Sequence, residues 1–354
     1  MASLDVLAAE ADAPSVRVEW GEPGGYRHRV RLAVRGRGRS PKIGLFQAGS
    51  HRIVDVPRCE LHHPALNALA ADLKAAIRET GVSPYADAPH RGDVRYLQGV
   101  VQRSDGRVQV VVVGNESEPR TTAPLLDRLA ERLGDRLQGL FFNGQPERSN
   151  AIIGPHWRHW AGEPATRERI GGADVFFPPG AFGQANLGLA DRLVERVHDL
   201  VPDGARVLEC YAGTGAIGLG LAARVDSLVL NELSPHGLEG LALGIAALPD
   251  DARPRVRVLE GSAGSAAGEI AGDGAAPDVV IVDPPRKGLD PALSAALVAH
   301  PPARLVYVSC DLESFLEDAR ALLAGGRLRL GEIEAWAFFP YTEHIEVLAR
   351  FDGV

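Results

Sequence analysis

The chain has 354 residues, of which 45% are hydrophobic and 24% are charged, and its net charge at pH 7 is −8. These values are ordinary for a globular protein with room for two domains, and the acidic balance excludes a molecule that is basic overall. The amino terminus lacks the basic region of a signal peptide, and no apolar run approaches the ~20 residues that span a bilayer. We therefore expect a cytoplasmic protein, and no sequence feature demands more than a monomer.

In the amino-terminal half, the sequence pattern predicts a short tail followed by a mixed α+β domain. We expect residues 1–14 to be a disordered tail and residues 15–170 to form an α+β domain. Alternating apolar residues between glycine and proline turns indicate strands, and apolar residues at helical spacing indicate helices. The predicted strands are residues 16–20, 26–34, 42–46, 53–56, 94–101, 107–113, 140–143 and 149–153, and the predicted helices are residues 62–80 and 124–137.

A basic run lies early in this domain. It comprises Arg27, Arg29, Arg31, Arg35, Arg37, Arg39 and Lys42, with no acidic residue among them. The alternation of Arg27, Arg29 and Arg31 predicts that they share one face of a strand. Two interpretations stay open, a solvated sheet face or a surface that contacts phosphates. The chain as a whole is acidic, so a local basic run favours the interpretation as a surface that contacts phosphates.

In residues 171–354, the sequence pattern predicts a different architecture. Asn186 can cap a helix, and apolar strands follow at residues 207–209, 228–231, 256–259, 279–282 and 305–308, with helical segments between them. Such alternation is typical of an α/β domain with a doubly wound, mostly parallel sheet. Ligands of such sheets bind at the carboxyl ends of the strands.

The first of these strands leads into a glycine turn. Gly213 and Gly215 form the turn, and the apolar spacing that follows predicts a helix up to residue 223. Glu232 ends the next predicted strand. This order is typical of a nucleoside cofactor site in which the acid binds the ribose. Glu209, just before the turn, favours a cofactor without phosphates such as S-adenosylmethionine. Methyl transfer is therefore favoured, and a nicotinamide dehydrogenase remains as the weakest alternative.

Residue types that can act as a nucleophile or a base lie at the ends of the later predicted strands. Asp283 and Cys310 each follow a strand, and Glu346 lies in the last predicted strand. Cys310 is either a buried structural cysteine or, beside a cofactor site, a nucleophile. A thiolate that adds to C6 of uracil makes C5 nucleophilic, and a base must then remove the C5 proton. Glu346 is the expected base, with Glu343 and His344 as weaker candidates.

Several motifs together resemble one family. They are Phe182-Gly-Gln184-Ala-Asn186, the turn from Glu209 to Gly215, Glu232, Asp283-Pro-Pro-Arg-Lys-Gly288, Tyr307-Val-Ser-Cys310-Asp311 and Phe339-Pro-Tyr-Thr342 with His344 and Glu346. In this order, over residues 140–354, they resemble the RNA uridine-5-methyltransferases, which make 5-methyluridine in transfer and ribosomal RNA. The resemblance implies a Rossmann-like S-adenosylmethionine-dependent methyltransferase domain at residues 171–354.

The resemblance also implies individual roles. Cys310 is then the nucleophile and Glu346 the base. Residues that contact S-adenosylmethionine or the adjacent target base are Gln184, Tyr211, Gly213, Gly215, Glu232 and Asp283. Arg286 faces RNA phosphate or the target uridine, and the strand arginines Arg27, Arg29 and Arg31 belong to the RNA-binding domain. The target uridine must leave its stack, because neither face of C5 or C6 is accessible inside a helix.

The chain departs from the family pattern in several places. Gly183, Ala216 and Leu312 replace the usual phenylalanine, asparagine and proline, and Glu317-Asp318 replaces Arg-Asp. These changes bear on substrate fit and rate more than on the reaction. Many relatives carry an amino-terminal barrel and an iron–sulfur cluster with four cysteine ligands. We expect a variant without either, because Cys59 alone remains of the ligands and one cysteine cannot hold a cluster.

Two other functions compete with RNA methylation. One is a paralogue whose motifs have drifted, so that it binds RNA without methylating it. The other is a methyltransferase for a different substrate, such as cytosine or a small molecule. Retention of Cys310 and Glu346 argues against the first, and the basic run argues for a polyanionic substrate. No cysteine pair has the spacing of a metal site, so we expect no metal.

Overall fold

The computed structural model describes residues 1–50, 52–272 and 276–354. They divide into two compact units. The large unit contains Met1–Glu22, Arg169–Phe182 and Gly188–Val354, and the small unit contains Pro23–Glu168 and Gly183–Leu187.

The strands alternate with helices mainly in the second half of the chain. In chain order the strands are β1 Arg17–Trp20, β2 Arg29–Arg37, β3 Ser40–Phe46, β4 Ile53–Asp55, β5 Val94–Val101, β6 Val108–Gly114, β7 Leu137–Gly144, β8 His156–Gly162, β9 Thr166–Ile170, β10 Ala173–Phe177, β11 Arg206–Cys210, β12 Ser227–Glu232, β13 Val256–Glu260, β14 Val279–Val282, β15 Arg304–Ser309, β16 Leu328–Ala337 and β17 Glu346–Gly353. The α-helices are α1 Ala2–Glu10, α2 Pro64–Thr80, α3 Ala123–Leu133, α4 Leu187–Asp199, α5 Pro235–Ala246, α6 Ala267–Ala271, α7 Pro291–Ala299 and α8 Leu312–Ala324.

The large unit contains a doubly wound sheet. Its strand order is β1-β16-β17-β15-β14-β11-β12-β13. The pairs from β15 to β13 are parallel, and β17 runs antiparallel to both of its neighbours. Because the parallel strands point the same way, their carboxyl ends share one edge of the sheet. The predicted α/β, mostly parallel architecture is confirmed.

Each face of this sheet has its own apolar core, because successive side chains of a strand point to opposite faces. Val207 of β11 packs into a core that includes Val197 of α4. Its neighbour Leu208 packs into a second core that includes Leu297 of α7 and Phe315 of α8. Burial on both faces explains why these strands are almost uniformly apolar.

The small unit contains a mixed sheet with the order β4-β3-β2-β5-β6-β7-β8. Neighbouring strands are antiparallel except β6 and β7, which are parallel. Helices α2 and α3 cover one face, where Leu73 and Leu129 share a core with Leu32. The opposite face has a smaller apolar cluster built on Tyr96 and Phe141.

The expected disordered tail at residues 1–14 and the domain boundary at residue 15 are wrong. Helix α1 forms there, and its Leu4 and Leu7 are almost fully buried in a core of the large unit. The predicted strand at residues 16–20 exists as β1, but it pairs in parallel with β16, more than 300 residues away. The amino-terminal segment therefore belongs to the large unit.

Two local predictions also differ from the structure. Residues 149–153 form a loop, and the strand lies later, as β8. The glycine turn leads into a single 3₁₀ turn at Gly218–Leu221 instead of an α-helix. Glycines at positions 218 and 220 disfavour an α-helix, because glycine loses more conformational entropy in a helix than other residues do. An added Cβ at Gly220 would lie 2.0 Å from the carbonyl oxygen of Gly171, so only glycine fits at that position.

Candidate active site

Polar side chains gather at the carboxyl edge of the large sheet. Glu209 lies near the end of β11, Glu232 ends β12, Asp283 follows β14 and Cys310 follows β15. Because these four strands are parallel neighbours, the structure brings the four residues to one edge, as the sequence predicts.

The glycine turn after β11 requires unusual backbone conformations. Gly213 has a φ of 57° and Gly215 has a φ of 82°, and Tyr211 also has a positive φ, of 63°. An added Cβ at Gly215 would lie 2.6 Å from the side chain of Leu219, whereas nothing lies within 4 Å of one at Gly213. Gly215 is thus required for packing, and Gly213 leaves open space at the turn. Without a helix after the turn, no helix terminus assists binding here.

Glu232 is held in place by backbone amides. Its Oε2 accepts a 2.7 Å hydrogen bond from the amide of Gly213, and its Oε1 accepts from the amides of Leu233 and Ser234 at 2.9 and 2.5 Å. These bonds link the end of β12 to the glycine turn and fix the direction of the carboxylate. A fixed carboxylate with further lone pairs is suited to accept bonds from ribose hydroxyls.

Glu209 is a buried acid with an unsatisfied oxygen. It is 1% exposed, and among the described residues its Oε2 has no hydrogen-bond partner. Burial raises the pKa of Glu209 well above its ordinary value, and the charges of Asp283 and Glu232 raise it further. A cationic ligand would relieve this repulsion. The sulfonium and ammonium charges of S-adenosylmethionine fit that requirement, so these residues fit the cofactor.

Cys310 lies among charged groups. Burial raises the pKa of its thiol, the carboxylates of Asp283 and Glu346 raise it further, and the Arg286 guanidinium lowers it. Burial also raises the pKa of Asp283, to about 7. Asp283 therefore takes up a proton more readily than an ordinary aspartate does.

The register of β15 and β17 places Glu346 beside Cys310. Ser309, the last residue of β15, pairs with Val347, and Cys310 and Glu346 are the adjacent residues on the two chain segments. They are close enough for the Glu346 carboxylate to raise the pKa of the Cys310 thiol. Glu346 is 5% exposed, whereas Glu343 and His344 are exposed. Burial beside the thiol favours Glu346 over both weaker candidates for the base.

A positioning network around the loop after β14 was missed from sequence. The Tyr307 hydroxyl donates a 2.6 Å hydrogen bond to Oδ2 of Asp318, and the amide of Leu289 donates to the same oxygen at 2.9 Å. The amide of Asp290 donates to the Tyr211 hydroxyl at 2.8 Å. These bonds hold the loop that carries Arg286. The only signal was Asp318 itself, which stood out as part of an altered motif.

The remaining predicted residues lie in the small unit. Gln184 belongs to the segment Gly183–Leu187, and its contact with the cofactor stays a prediction. Arg27 precedes β2, so it does not share the strand face, whereas Arg29 and Arg31 do alternate within β2. Arg31 is exposed and its Nε donates to Oε1 of Gln98 at 2.7 Å. Burial lowers the pKa of Arg29 to about 10, so it stays charged at neutral pH.

In residues 1–50, 52–272 and 276–354, no group of three or more histidine, cysteine, aspartate or glutamate side chains is arranged to hold a metal ion. None of the helices in this described part of the chain combines the length and apolarity that a membrane crossing requires.

Comparison with known proteins identifies the family. The model of the tRNA (uracil-5-)-methyltransferase family matches residues 269–350, which include Asp283, Cys310 and Glu346. An uncharacterized RNA methyltransferase of Protochlamydia amoebophila is 35% identical over 334 residues, covering 93% of this chain and 86% of the relative. Another, from Parasynechococcus marenigrum, is 32% identical and covers 92% of this chain and 70% of the relative.

A solved structure agrees with these relatives. The Pyrococcus abyssi tRNA (uracil-54, C5)-methyltransferase, in complex with S-adenosyl-L-homocysteine, is similar to this chain with a TM-score of 0.78 and 26% identity. The similarity covers 95% of this chain and 77% of that one. The chain therefore belongs to the S-adenosylmethionine-dependent RNA (uracil-5-)-methyltransferase family.

Proposed function

We propose that this protein methylates C5 of a uridine in structured RNA, either transfer or ribosomal RNA, through a covalent bond between Cys310 and C6 of the uracil. The observation that carries the proposal is that Cys310, just after β15, lies close enough to the buried Glu346 at the start of neighbouring β17, and to Asp283, for both carboxylates to raise the pKa of its thiol. A nucleophile and a base at one sheet edge are the groups that this substitution requires.

The first step activates the ring. The Cys310 Sγ forms a bond to C6, and the electron pair of the C5–C6 double bond moves toward O4 to give an enolate. Because the pKa of the thiol is raised, it needs a proton acceptor, and Asp283, with a pKa of about 7, is suited to that role. When bound, S-adenosylmethionine would supply an electrophilic methyl group to C5 and would leave as S-adenosylhomocysteine once its sulfur–methyl bond breaks.

The second step restores the ring. Glu346 removes the proton from C5, the electron pair forms the C5–C6 double bond again, and the C6–S bond breaks to release the Cys310 thiolate. Burial of Glu346 keeps water from competing for the same position. Asp283 then returns its proton to the Cys310 thiolate and Glu346 releases the C5 proton to solvent, so the product is 5-methyluridine and the protein is regenerated.

Other residues position the two substrates. Glu232 would bind the ribose hydroxyls of the cofactor, Glu209 and Asp283 would balance its positive charges, and Tyr211 and the glycine turn would line its site. Arg286 is exposed, yet it is close enough to Cys310 to lower the pKa of the thiol. It is therefore suited to contact RNA beside the target uridine. Arg29 and Arg31, with Arg27, bind phosphates in the small unit.

Trapping with 5-fluorouridine RNA tests the mechanism. Fluorine replaces the C5 proton, so Glu346 cannot complete the second step and the bond to Cys310 persists. We expect a protein–RNA complex that survives denaturation, forms only with S-adenosylmethionine and is attached at the peptide containing Cys310. The Cys310→Ala variant should give no complex. A folded wild-type protein that binds the cofactor but gives no complex would contradict the covalent mechanism.

A further inference from the structure

The small unit has a cavity on the sheet face opposite α2 and α3. It encloses about 330 Å³ and is lined by residues that include Arg31, Phe46, Asp87, Tyr96 and Asn150. Phe46 is half-buried, and Arg31 and Asn150 are exposed. The cavity therefore combines aromatic walls with polar and charged groups, and none of these residues belongs to the site at the large sheet.

The walls are held in place by a buried arginine. The Arg35 guanidinium lies 5.1 Å from the ring centroids of both Phe46 and Tyr96. It also donates from Nε and Nη2 to both oxygens of Asp87, at 2.7 and 2.8 Å. Since Arg35 is only 5% exposed, this arrangement does not depend on a ligand. Two rings and a carboxylate are thus fixed in advance around the cavity, which lowers the entropy cost of binding.

The charge around the cavity favours a polyanion. Arg31 contributes to the lining, and Arg37, Arg39 and Lys42 are exposed further along the same hairpin of β2 and β3. These cations stand out on a chain whose net charge is −8. An aromatic cavity that has an arginine in its lining is suited to a nucleic acid strand, because rings stack on bases while cations bind the flanking phosphates.

We propose that this cavity binds an unpaired nucleobase of the RNA substrate, separate from the uridine that is methylated. The proposal rests on the proposed function, which makes RNA the substrate. The base stacks against Phe46, with Tyr96 lining the same space, and Arg31 binds a neighbouring phosphate. Asp87 accepts a hydrogen bond from the base. Adenine donates that bond from its exocyclic amine, whereas uracil can donate only from N3, and the larger adenine ring also stacks more strongly on Phe46. This site therefore prefers adenine over uracil.

Short single-stranded RNAs test the preference. Binding of an adenosine hexamer and a uridine hexamer to the full chain is measured by fluorescence anisotropy, at low and at high salt. Phosphate contacts weaken with salt equally for both hexamers, so a stacking and hydrogen-bonding preference persists at high salt. We expect the adenosine hexamer to bind about tenfold more tightly, because adenine stacks more strongly than uracil on the Phe46 ring.

Variants then locate the preference. Phe46→Leu keeps an apolar side chain but removes the ring, and it should abolish most of the difference between the hexamers. Phe46→Tyr should retain the difference, and Arg31→Ala should weaken both hexamers. Val54→Ala is the matched control, because Val54 is 52% exposed on neighbouring β4 and lies outside the cavity lining. Any binding of uridine at the methylation site is the same in these variants and cancels in the comparison.

Parallel assays of methyl transfer to structured RNA separate the two proposals. A wild-type preference for the adenosine hexamer that Phe46→Leu abolishes supports the cavity proposal, even if no methyl transfer occurs. Equal affinities for the two hexamers, or a preference unchanged in a folded Phe46→Leu variant, would overturn it, even if methyl transfer is intact.

Discussion

Two cysteines lie at the carboxyl ends of parallel strands of the large sheet, yet their surroundings differ. Cys210 is fully buried at the end of β11, and burial raises the pKa of its thiol far above the ordinary value. Cys310 is only half-buried, follows β15 and lies close to Glu346 and Arg286. Accessibility and charged neighbours therefore support Cys310, the cysteine that the sequence indicated as a candidate nucleophile.

Replacing Glu346 should trap the intermediate on normal RNA. In Glu346→Gln the C5 proton stays in place after methylation, so we expect the bond to Cys310 to persist and turnover to fall about 10²–10⁴-fold. A denaturing gel with labelled RNA measures the complex. Glu343→Gln is the control, because Glu343 is exposed nearby and should leave turnover almost unchanged. A normal rate in Glu346→Gln would show that another group removes the proton.

Replacing Asp283 should make Cys310 more acidic. The negative charge of Asp283 raises the pKa of the thiol, so Asp283→Asn lowers that pKa and more thiolate is present at any given pH below it. Alkylation of Cys310 by iodoacetamide, followed by peptide mass spectrometry, should reach half its maximal rate at a lower pH than in the wild type. Cys59, in the small unit, provides an internal control. An unchanged pH profile would rule out the charge coupling between Asp283 and Cys310.

At the scale of elements, the order of strands and turns was predictable and the local packing was not. Uniformly apolar strands followed by polar residues predicted which residues meet at the carboxyl edge, because parallel strands leave no other arrangement. The segment after the glycine turn resembled a helix in its apolar spacing. Its conformation depends on Gly218 and Gly220 approaching Glu209 and Gly171, and such close contacts involve distant parts of the chain.

Asp318 should act through the loop that carries Arg286. Asp318→Ala removes the acceptor for Leu289 and leaves the buried Tyr307 hydroxyl without its partner, which costs about 1–3 kcal/mol of stability. We expect the KM for RNA to rise about tenfold, a loss typical of one charge-assisted contact, while the KM for S-adenosylmethionine stays unchanged.

A double-mutant cycle distinguishes positioning from general destabilisation. If Asp318 acts through Arg286, the Arg286→Ala variant and the double variant should have similar KM values for RNA. If the increases in the KM for RNA caused by the two single substitutions multiply in the double variant, Asp318 supports RNA binding by another route.

At the scale of the whole molecule, the two fold classes were predictable but the division of the chain was not. The change from short strands with turns to alternating strands and helices marks the two architectures in the sequence. The pairing of β1 with β16 leaves no such mark, because it joins opposite ends of the chain. It is supported by ion pairs from Arg17 and Arg196 to Glu332 and Glu334, which only the folded structure brings together.

Helix α1 should therefore stabilise the large unit. Leu4→Ala leaves a cavity in a closely packed core, so we expect a loss of about 2–5 kcal/mol in the free energy of unfolding of that unit. Hydrogen exchange with mass spectrometry should show faster exchange in the large sheet and little change in the small unit. Val6→Ala is the matched control, because Val6 lies on the same helix and is 50% exposed. Equal effects of the two variants would mean that α1 does not pack as described.

Nucleoside mass spectrometry tests the central claim most directly. RNA that lacks 5-methyluridine is incubated with the protein and methyl-labelled S-adenosylmethionine, separated by size and digested to nucleosides. We predict labelled 5-methyluridine in the transfer or ribosomal RNA fraction with the wild type and none with Cys310→Ala. Absence of label from every fraction, or label in 5-methylcytidine instead, from a folded protein that binds the cofactor, would contradict the assignment of uridine C5 as the methylated atom.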